Sequence, residues 1–329
     1  MTTATDNGQQ PLVSFILTCY NLPTELLCQC IDSILRLSLH PEEREIIVVD
    51  DGSDQSPMND LLRYGDDITY VRKKNGGLST ARNQGLEVAS GTYVQFVDGD
   101  DQLIRSPYDH CLDIIRRHGD TDMVLFDFSE QNDTAEQAAA EEPAAVSGTD
   151  YMRHNNIHGM ACGYLARRMT IADLRFTPGI YHEDEEFTPL LLIRAEKVFP
   201  TTEKAYFYNK RPGSITTSGD SDKRDKRMAD RLTVIRHLKE TADRRPLSER
   251  LALERRIAQL AMDLIYGAIV QSQSLPYTKE MVEQLRPLGL YPLPAGDYTR
   301  KYKWFRRLSG SQTGLALLVR LLPHIQKER

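Results

Sequence analysis

One stretch of the sequence decides the fold: Asn75-Gly-Gly-Leu-Ser-Thr-Ala-Arg-Asn-Gln-Gly-Leu-Glu-Val-Ala-Ser-Gly-Thr-Tyr-Val-Gln-Phe-Val-Asp98-Gly99-Asp100-Asp101. It divides into a glycine turn, a helix and a short apolar strand that ends in three carboxylates. Carboxylates are almost never fully buried unless they are paired or bound to a metal, so the cluster is not expected to be core. On an extended chain Asp98 and Asp100 lie on one side, and Gly99 permits a tight turn between them.

This Asp-x-Asp sequence has two interpretations. Asp-Gly is common in turns, so the cluster could be an acidic surface turn. Alternatively, two carboxylates that face a cleft suit Mg²⁺ or Mn²⁺, which take their other ligands from water and substrate phosphates. The position of the cluster in the fold favours the second interpretation.

Short apolar runs predict five buried strands, which start near Val13, Glu45, Ile68, Tyr93 and Met123. Helical periodicity follows several of them, from about Thr24, Leu78 and Pro107. Strands that alternate with helices predict an α/β fold with a mainly parallel sheet, in which ligands bind at the carboxyl ends of the strands.

Polar residues follow three of these predicted strands. They are Tyr20-Asn21, Asp50-Asp51 and the Asp98–Asp101 cluster. Because the carboxyl ends of parallel strands meet at one edge, we expect the three motifs to lie together, as a metal and nucleotide site requires. The sequence has no Gly-x-Gly-x-x-Gly and no Walker lysine, so dinucleotide-binding and ATP-hydrolysing folds lack their phosphate loops.

The sequence predicts four regions: a disordered N-terminus (1–10), an α/β domain (11–219), a helical extension (220–299) and a basic amphipathic tail (300–329). Within the second region, residues 132–150 are rich in alanine and glutamate and predict a surface insertion or mobile loop. The helical extension is heavily charged, with a helix up to about Ser272 and a shorter one over Lys279–Arg286.

The amino-acid composition limits the classes of protein to which the chain can belong. The 329 residues are 40% apolar and 27% charged, which is ordinary for a globular protein, and the net charge of −6 gives no reason to expect nucleic acid. Five cysteines without a Cys-x-x-Cys pair fit a reducing compartment. The polar first ten residues and the lack of a long apolar run predict neither a signal peptide nor a membrane span, so we expect a cytoplasmic protein.

Six motifs together resemble the family-two glycosyltransferases of the GT-A fold. They are Val13-Ser-Phe-Ile-Leu-Thr-Cys-Tyr-Asn21, Val48-Val-Asp-Asp-Gly-Ser53, Asn75-Gly-Gly-Leu-Ser with Ala81-Arg-Asn83, Phe96-Val-Asp-Gly-Asp-Asp101, His182-Glu-Asp184 and Arg211-Pro-Gly-Ser-Ile215. The resemblance covers residues 12–218. The chain departs from the family at Thr18, where proline is frequent, and at Asp54-Gln55.

The resemblance implies a donor site for a nucleotide sugar, with UDP as the commonest nucleotide. Its residues would be Thr18, Tyr20, Asn21, Asp51, Gly76, Arg82, Asp98 and Gly99. Asp51 would accept a hydrogen bond from the base, and Asp100 with Asp98 would bind Mn²⁺ or Mg²⁺. Arg82 would steady the pyrophosphate or an acidic residue of the motifs, or would form a purely structural ion pair.

The resemblance also implies inverting transfer to a hydroxyl of a glycan or lipid-linked acceptor. A carboxylate must take the proton of that hydroxyl, and Asp184 is the expected base with Glu183 as its orienter. The same acids also fit a helix N-terminus, where the helix dipole favours negative charge. Arg211 and Ser214 are candidates for diphosphate or acceptor contacts, or for a simple turn. The chain lacks the Gln-x-x-Arg-Trp motif of processive members, so transfer of one or a few sugars is expected.

Two further classes and two roles for the tail stay open. The chain could be a non-catalytic nucleotide- or glycan-binding relative, or a phosphotransferase that uses Asp-x-Asp, although such enzymes carry that motif after their first strand. The tail could be an amphipathic anchor on an anionic cytoplasmic membrane, which would make the protein peripheral. It could instead pack on its own chain or on a second subunit in a homodimer.

Overall fold

The structure is a computed structural model that describes residues 10–131, 141–210, 221–296 and 298–326. They form two compact units. The first holds residues 10–131, 141–148, 160–179 and 194–210, and the second holds residues 149–159, 180–193, 221–296 and 298–326. The expectations for the first nine residues and for residues 132–140 lie outside the described residues. The four predicted region boundaries remain predictions.

The first unit is built on a mixed sheet. Its strands are β1 (Val13–Cys19), β2 (Arg44–Asp50), β3 (Ile68–Arg72), β4 (Tyr93–Asp98), β5 (Gln102–Leu103), β6 (Met123–Ser129), β7 (Tyr164–Arg167) and β8 (Val198–Phe207). Across the sheet the order is β3-β2-β1-β4-β7-β6-β8-β5. The pairs among β1, β2, β3 and β4 are parallel, as predicted, whereas β7 is antiparallel to both its neighbours.

The helices of the described residues are α1 (Thr24–Leu35), α2 (Met58–Leu61), α3 (Leu78–Val88), α4 (Arg105–Arg117), α5 (Gly148–His154), α6 (Arg168–Ile171), α7 (Glu183–Leu192), α8 (Ser221–Ala242), α9 (Leu247–Ser272), α10 (Leu275–Leu285), α11 (Arg300–Ser309) and α12 (Gln312–Gln326). Helix α7 begins at Glu183, and its acidic first turn suits the helix dipole.

Strand β1 lies at the centre of the parallel half of the sheet, and all seven of its residues are buried. This burial on both faces is what its continuous apolar run predicted. Helix α3 packs closely against it, since a Cβ atom on Gly85 would stand 2.2 Å from Cγ2 of Ile16. The small residues on α3 therefore serve close helix–sheet contact.

The second unit is helical around α8 and α9, which pack together, and α11 and α12 both contact α9. The basic tail forms two helices, because the chain turns at Gly310-Ser311. Its apolar residues Phe305, Leu315 and Leu318 are buried, whereas Trp304 is 53% exposed. Part of the tail therefore packs on its own chain.

Two general findings concern chemistry and membranes. All five cysteines are buried free thiols. Among the helices that the structure describes, none combines the length and the apolar character needed to cross a membrane.

Candidate functional site

The carboxyl ends of β1, β2 and β4 meet at one edge of the first unit's sheet. In the strand register Cys19 stands opposite Asp50, and Thr18 stands opposite Asp98. The backbone N–H of Asp51 donates to the carbonyl of Cys19 at 2.9 Å, which continues the ladder by one residue. The three polar motifs that follow these strands are thus gathered along one edge.

The residues Asp98–Asp101, here called the acidic turn, are held by strand β8. The hydroxyl of Tyr206 accepts from the backbone N–H of Asp98 at 3.1 Å and donates to Oδ2 of Asp101 at 2.7 Å. The backbone N–H of Asn209 donates to Oδ1 of Asp101 at 2.8 Å. Both oxygens of Asp101 are therefore engaged by protein, and this residue orders the turn.

Gly99 lets the acidic turn approach the end of β1. Its N–H donates to the carbonyl of Thr18 at 3.1 Å, and a Cβ atom there would stand 2.8 Å from the same oxygen. A larger residue would push the two strand ends apart. The glycine between Asp98 and Asp100 is thus required by packing as well as by the turn.

Arg82 of α3 reaches the acidic turn from beneath. Its Nη2 donates to Oδ1 of Asp98 at 2.9 Å, and its guanidinium lies 5.3 Å from the ring centre of Phe176. The arginine is 3% exposed. This ion pair fits both a role in steadying an acidic residue of the motifs and a purely structural ion pair, so the functional role of Arg82 stays a prediction.

Asp51 is 3% exposed and organises the glycine turn before α3. Its carboxylate accepts from the N–H of Gly76 at 3.0 Å, from the N–H of Gly77 at 2.7 Å and from Nζ of Lys73 at 2.6 Å. A carboxylate has about four acceptor positions, so these three donors leave capacity for one more. The predicted contact with a base N–H is compatible with this count.

Asn21 joins the end of β1 to the loop after β2. Its backbone N–H donates to Oγ of Ser53, and its side chain exchanges two hydrogen bonds with Asp54. Asn21 has a left-handed backbone with φ of 46°, which asparagine tolerates. The neighbouring Tyr20 is 51% exposed, so its ring is available to a ligand. Asp54, one of the departures from the family pattern, thus has a structural partner.

The acidic edge perturbs its buried neighbours. Burial, with the charge of Asp98 as the next cause, raises the pKa of Asp101 to about 8. Burial and the nearby acids also raise the pKa of the Cys30 thiol well above its usual value. The edge therefore concentrates negative charge, which Arg82 and Lys73 offset in part.

Two carboxylates of the acidic turn fit a divalent cation. The Asp98 side chain, which pairs with Arg82, is 33% exposed, and Asp100 is half-buried. Among the residues that the structure describes, no group of three or more His, Cys, Asp or Glu side chains is placed to hold a metal. Mg²⁺ and Mn²⁺ need no such cage, because one or two carboxylates with substrate phosphates and water complete their coordination.

The second acidic motif lies at the start of α7, in the second unit. Glu183 is 7% exposed, and Asp184 is half-buried with Oδ1 accepting from the N–H of Glu185 at 2.9 Å. His182 precedes the helix with a left-handed backbone, φ 64°. The helix-start interpretation of this motif is confirmed, and the assignment of a base stays a prediction.

A buried arginine of α9 supports this turn. Arg256 forms an ion pair with Glu185 and donates to the carbonyl of Ile157 at 2.9 Å. Burial lowers the pKa of Arg256 to about 10, against the opposing charges of Asp263 and Asp184. Burial, followed by the nearby cations of α8, lowers the pKa of His182 to about 3. Thus Arg256 stays charged and His182 stays neutral near pH 7.

The first unit gathers Thr18, Tyr20, Asn21, Asp51, Gly76, Arg82, Asp98, Gly99 and Asp100, whereas Glu183 and Asp184 belong to the second unit. Arg211 and Ser214 lie outside the described residues. The sequence did not single out Lys73, Phe176, Tyr206 or Asn209. Of these four, Tyr206 alone carries a signal in the sequence, since it belongs to the aromatic run Tyr206-Phe-Tyr208.

Comparison with known proteins extends these observations. Residues 14–175 match the sequence model of Glycosyl transferase family 2. The chain belongs to this family. A glycosyltransferase of Bacillus subtilis called EpsJ, described as uncharacterized, is 31% identical over 63% of this chain and 63% of its own. The minor teichoic acid biosynthesis protein GgaB of the same organism is 27% identical over 60% of this chain, which spans only 23% of GgaB.

Solved structures agree on the fold. S. aureus TarS 1-349 in complex with UDP-GlcNAc has a TM-score of 0.58 at 16% identity, over 96% of this chain and 91% of that one. The mannosyltransferase PcManGT from Pyrobaculum calidifontis, in complex with GDP-Man and Mn2+, has a TM-score of 0.56 at 14% identity, over 97% and 88%. The prediction of a GT-A fold with a helical C-terminal region is confirmed.

Proposed function

We propose that this family 2 chain is an inverting glycosyltransferase. It moves a sugar from a nucleoside-diphosphate donor, a UDP-sugar, to a hydroxyl of a glycan or lipid-linked acceptor. The observation that carries the proposal is the arrangement of Asp51, Asp98 and Asp100 along one edge of the sheet, inside the region that matches the family. Carboxylates at the carboxyl ends of parallel strands lie where α/β folds bind nucleotides.

The donor nucleotide lies against the ends of β1 and β2. The exposed ring of Tyr20 packs near the base, and Asp51 accepts a hydrogen bond from a ring N–H. The turn at Gly76 and Gly77 is already ordered by Asp51, so binding need not order it. UDP is favoured because TarS, the structural relative at 16% identity, is known in complexes with UDP and UDP-GlcNAc.

Asp100 and Asp98 would hold Mn²⁺ or Mg²⁺ when the donor is bound. Small divalent cations suit a ligand set of two carboxylates and diphosphate oxygens. The structural relative PcManGT is known in a complex with Mn2+. A cation held there would supply positive charge that offsets the charge on the departing diphosphate. Arg82 fixes the rotamer of Asp98, so the carboxylate keeps its place without a cation. Tyr206 and Asn209 fix the backbone around it through Asp101.

Asp184 acts as the general base, and Glu183 orients it or the acceptor. The acceptor hydroxyl gives its proton to the carboxylate while its oxygen forms a bond to the anomeric carbon. The bond from that carbon to the diphosphate oxygen breaks, and the nucleoside diphosphate leaves with the electron pair. One displacement inverts the anomeric configuration. Arg211 and Ser214 stay predicted contacts of the diphosphate or the acceptor.

The acceptor is proposed to belong to a cell-envelope polysaccharide, presented at a membrane surface to which the protein binds peripherally. This proposal draws on GgaB, whose name assigns it to minor teichoic acid biosynthesis. It also draws on the basic tail, which a lipid-linked acceptor at an anionic membrane would suit.

Calorimetric titration of UDP, with and without Mn²⁺, tests the donor site. We expect metal-dependent binding that Asp100→Asn weakens on the order of 10- to 100-fold, because a charged ligand of the cation is lost. Asp173→Asn is the matched control, since that side chain is 88% exposed at a surface ion pair. Binding that ignores both the metal and Asp100→Asn contradicts the cation site. No UDP binding in any condition favours the non-catalytic relative.

Kinetics of sugar transfer test the base. Asp184→Asn is expected to lower kcat about 10²- to 10⁴-fold while UDP affinity stays unchanged, because the residue acts only on the acceptor proton. Asp243→Asn, at an exposed position of the same unit, is the control. Unchanged kcat in Asp184→Asn removes this residue from the mechanism. Metal-dependent release of phosphate from the donor, independent of acceptor, favours the phosphotransferase class.

A further inference from the structure

One helix of the second unit exposes a tryptophan among cations. The exposed residues of α11, here called the basic face, are Arg300, Lys301, Lys303, Trp304 and Arg307. Arg300, Trp304 and Arg307 follow one another at i, i+4 and i+7, so they share one side of the helix. Trp304 is 53% exposed and lies in the middle of this side.

The opposite side of α11 is fixed to the unit. Tyr302 and Phe305 are 1% and 3% exposed. The hydroxyl of Tyr302 donates to the carbonyl of Pro294 at 2.9 Å, and Nε of Arg306 donates to the carbonyl of Leu293 at 2.7 Å. The helix is therefore anchored by its buried side, and the basic face is presented in a defined orientation.

Helix α12 repeats the pattern on a smaller scale. Leu317 and Leu321 are 47% and 46% exposed, and the exposed Arg320 lies beside them at helical spacing. Residues 300–326 contain no acidic residue and six lysines and arginines, in a chain whose net charge is −6. Exposed apolar side chains among cations, with no acids, distinguish these helices from an ordinary solvated helix surface, where both signs of charge are mixed.

We infer that the basic face of α11, with Leu317 and Leu321 of α12, binds the surface of an anionic lipid membrane. Lysine and arginine interact with acidic headgroups, tryptophan inserts at the level of the headgroups, and leucine reaches the acyl chains. A nucleic acid would satisfy the cations, but its phosphate backbone offers nothing to the exposed leucines. This inference makes the proposed membrane site specific, and it holds whether or not the chain transfers a sugar.

The chain carries its own probe, because Trp304 is its single tryptophan. The 329-residue chain is titrated with vesicles of phosphatidylglycerol mixed with phosphatidylcholine, and with pure phosphatidylcholine vesicles. We expect a blue shift of Trp304 emission with the anionic vesicles alone, and quenching by lipids brominated in the acyl chain. Salt is expected to weaken the effect, since exposed charges are screened.

Variants separate this face from the general charge of the protein. Replacing Arg300, Lys303 and Arg307 with Gln is expected to weaken vesicle binding about 100-fold, at about fivefold per charge. The control variant carries Gln at three other exposed cations of the same unit, Lys223, Arg236 and Arg244. It should keep most of the vesicle binding. In vesicle flotation, Trp304→Ala is expected to weaken binding on the order of tenfold, whereas Leu247→Ala, at a position 62% exposed, should not.

Three outcomes overturn the inference. They are no binding to anionic vesicles, equal losses in the two triple variants, and binding without a change in Trp304 emission. An equal blue shift with polyuridylic acid, without quenching by brominated lipid, assigns the face to nucleic acid instead. These variants should bind UDP like the unchanged protein if they fold. A loss of vesicle binding can therefore be distinguished from a loss of UDP binding at the donor site.

Discussion

The ion pair between Glu185 and Arg256 offers the sharpest test of how the second acidic motif is held. Arg256 is 5% exposed, and the Glu185 side chain is 20% exposed. Gly159 leaves no room beside them, since a Cβ atom there would stand 2.7 Å from Cδ of Glu185. The carboxylate thus cannot easily turn toward water when its partner is removed.

Arg256→Met removes the charge and keeps most of the volume. It leaves Glu185 without its cation and the carbonyl of Ile157 without its donor. Breaking a buried pair from one side costs about 3–5 kcal/mol, and the partial exposure of Glu185 places the expected loss near 3 kcal/mol. For a unit of this size, that loss lowers the thermal midpoint by about 6–12 °C.

Calorimetry and urea unfolding measure this loss, and a double-mutant cycle identifies its cause. Arg256→Met with Glu185→Met removes both charges, so no buried charge is left alone. Replacement of a buried pair by apolar residues is often nearly neutral, so the double variant should recover most of the stability. A loss under about 1 kcal/mol in Arg256→Met refutes the reasoning. So does a double variant that is as unstable as the two single variants combined.

Two further predictions concern packing and pH. Gly85→Ala should lower the free energy of unfolding, measured in urea, by about 1–3 kcal/mol because its Cβ would overlap Ile16. Gly119→Ala is the control and should leave stability unchanged, since a Cβ there meets no atom within 4 Å. Equal effects of the two variants contradict the close packing of α3. The pKa of His182 lies at about 3 in the fold against 6.5 ordinarily, so below about pH 6.5 the unfolded chain binds a proton that the fold excludes. The free energy of unfolding should therefore fall by about 2 kcal/mol from about pH 7 to pH 5. His182→Asn, which suits the left-handed backbone, should remove that part of the fall. An unchanged pH dependence in this variant contradicts a buried neutral histidine.

The sequence predicted the parallel half of the sheet because its signals are local. Strand β1 is buried on both faces and reads as one apolar run, and strands β2 and β4 end in Asp-Gly sequences that mark turns. Strand β5 was not predicted because it has two residues and pairs with β8, about a hundred positions away. The mixed half of the sheet depends on such distant pairings, which periodicity does not reveal.

The partners of the site residues were predictable only in part. The sequence allowed Arg82 a pyrophosphate contact, a contact with an acidic residue of the motifs or a structural ion pair. Its pairing with Asp98 became visible only from the positions of α3 and β4 in the fold. The ion pair of Arg256 was not predictable, because its helix carries many charges and only packing shows which one is buried. Charge in a helical pattern indicates a solvated surface far more often than a buried pair.

The acidic turn shows why three neighbouring carboxylates are not interchangeable. Asp101 faces a phenol and a backbone N–H and is buried, so its oxygens order the turn. Asp98 faces a guanidinium on one side and the edge of the sheet on the other, so it couples helix α3 to the proposed cation. Asp100, which is half-buried, is the direct ligand of the cation in the proposal. The sequence presents all three as one acidic cluster, whereas the structure shows that α3 contacts Asp98 and that β8 contacts Asp101.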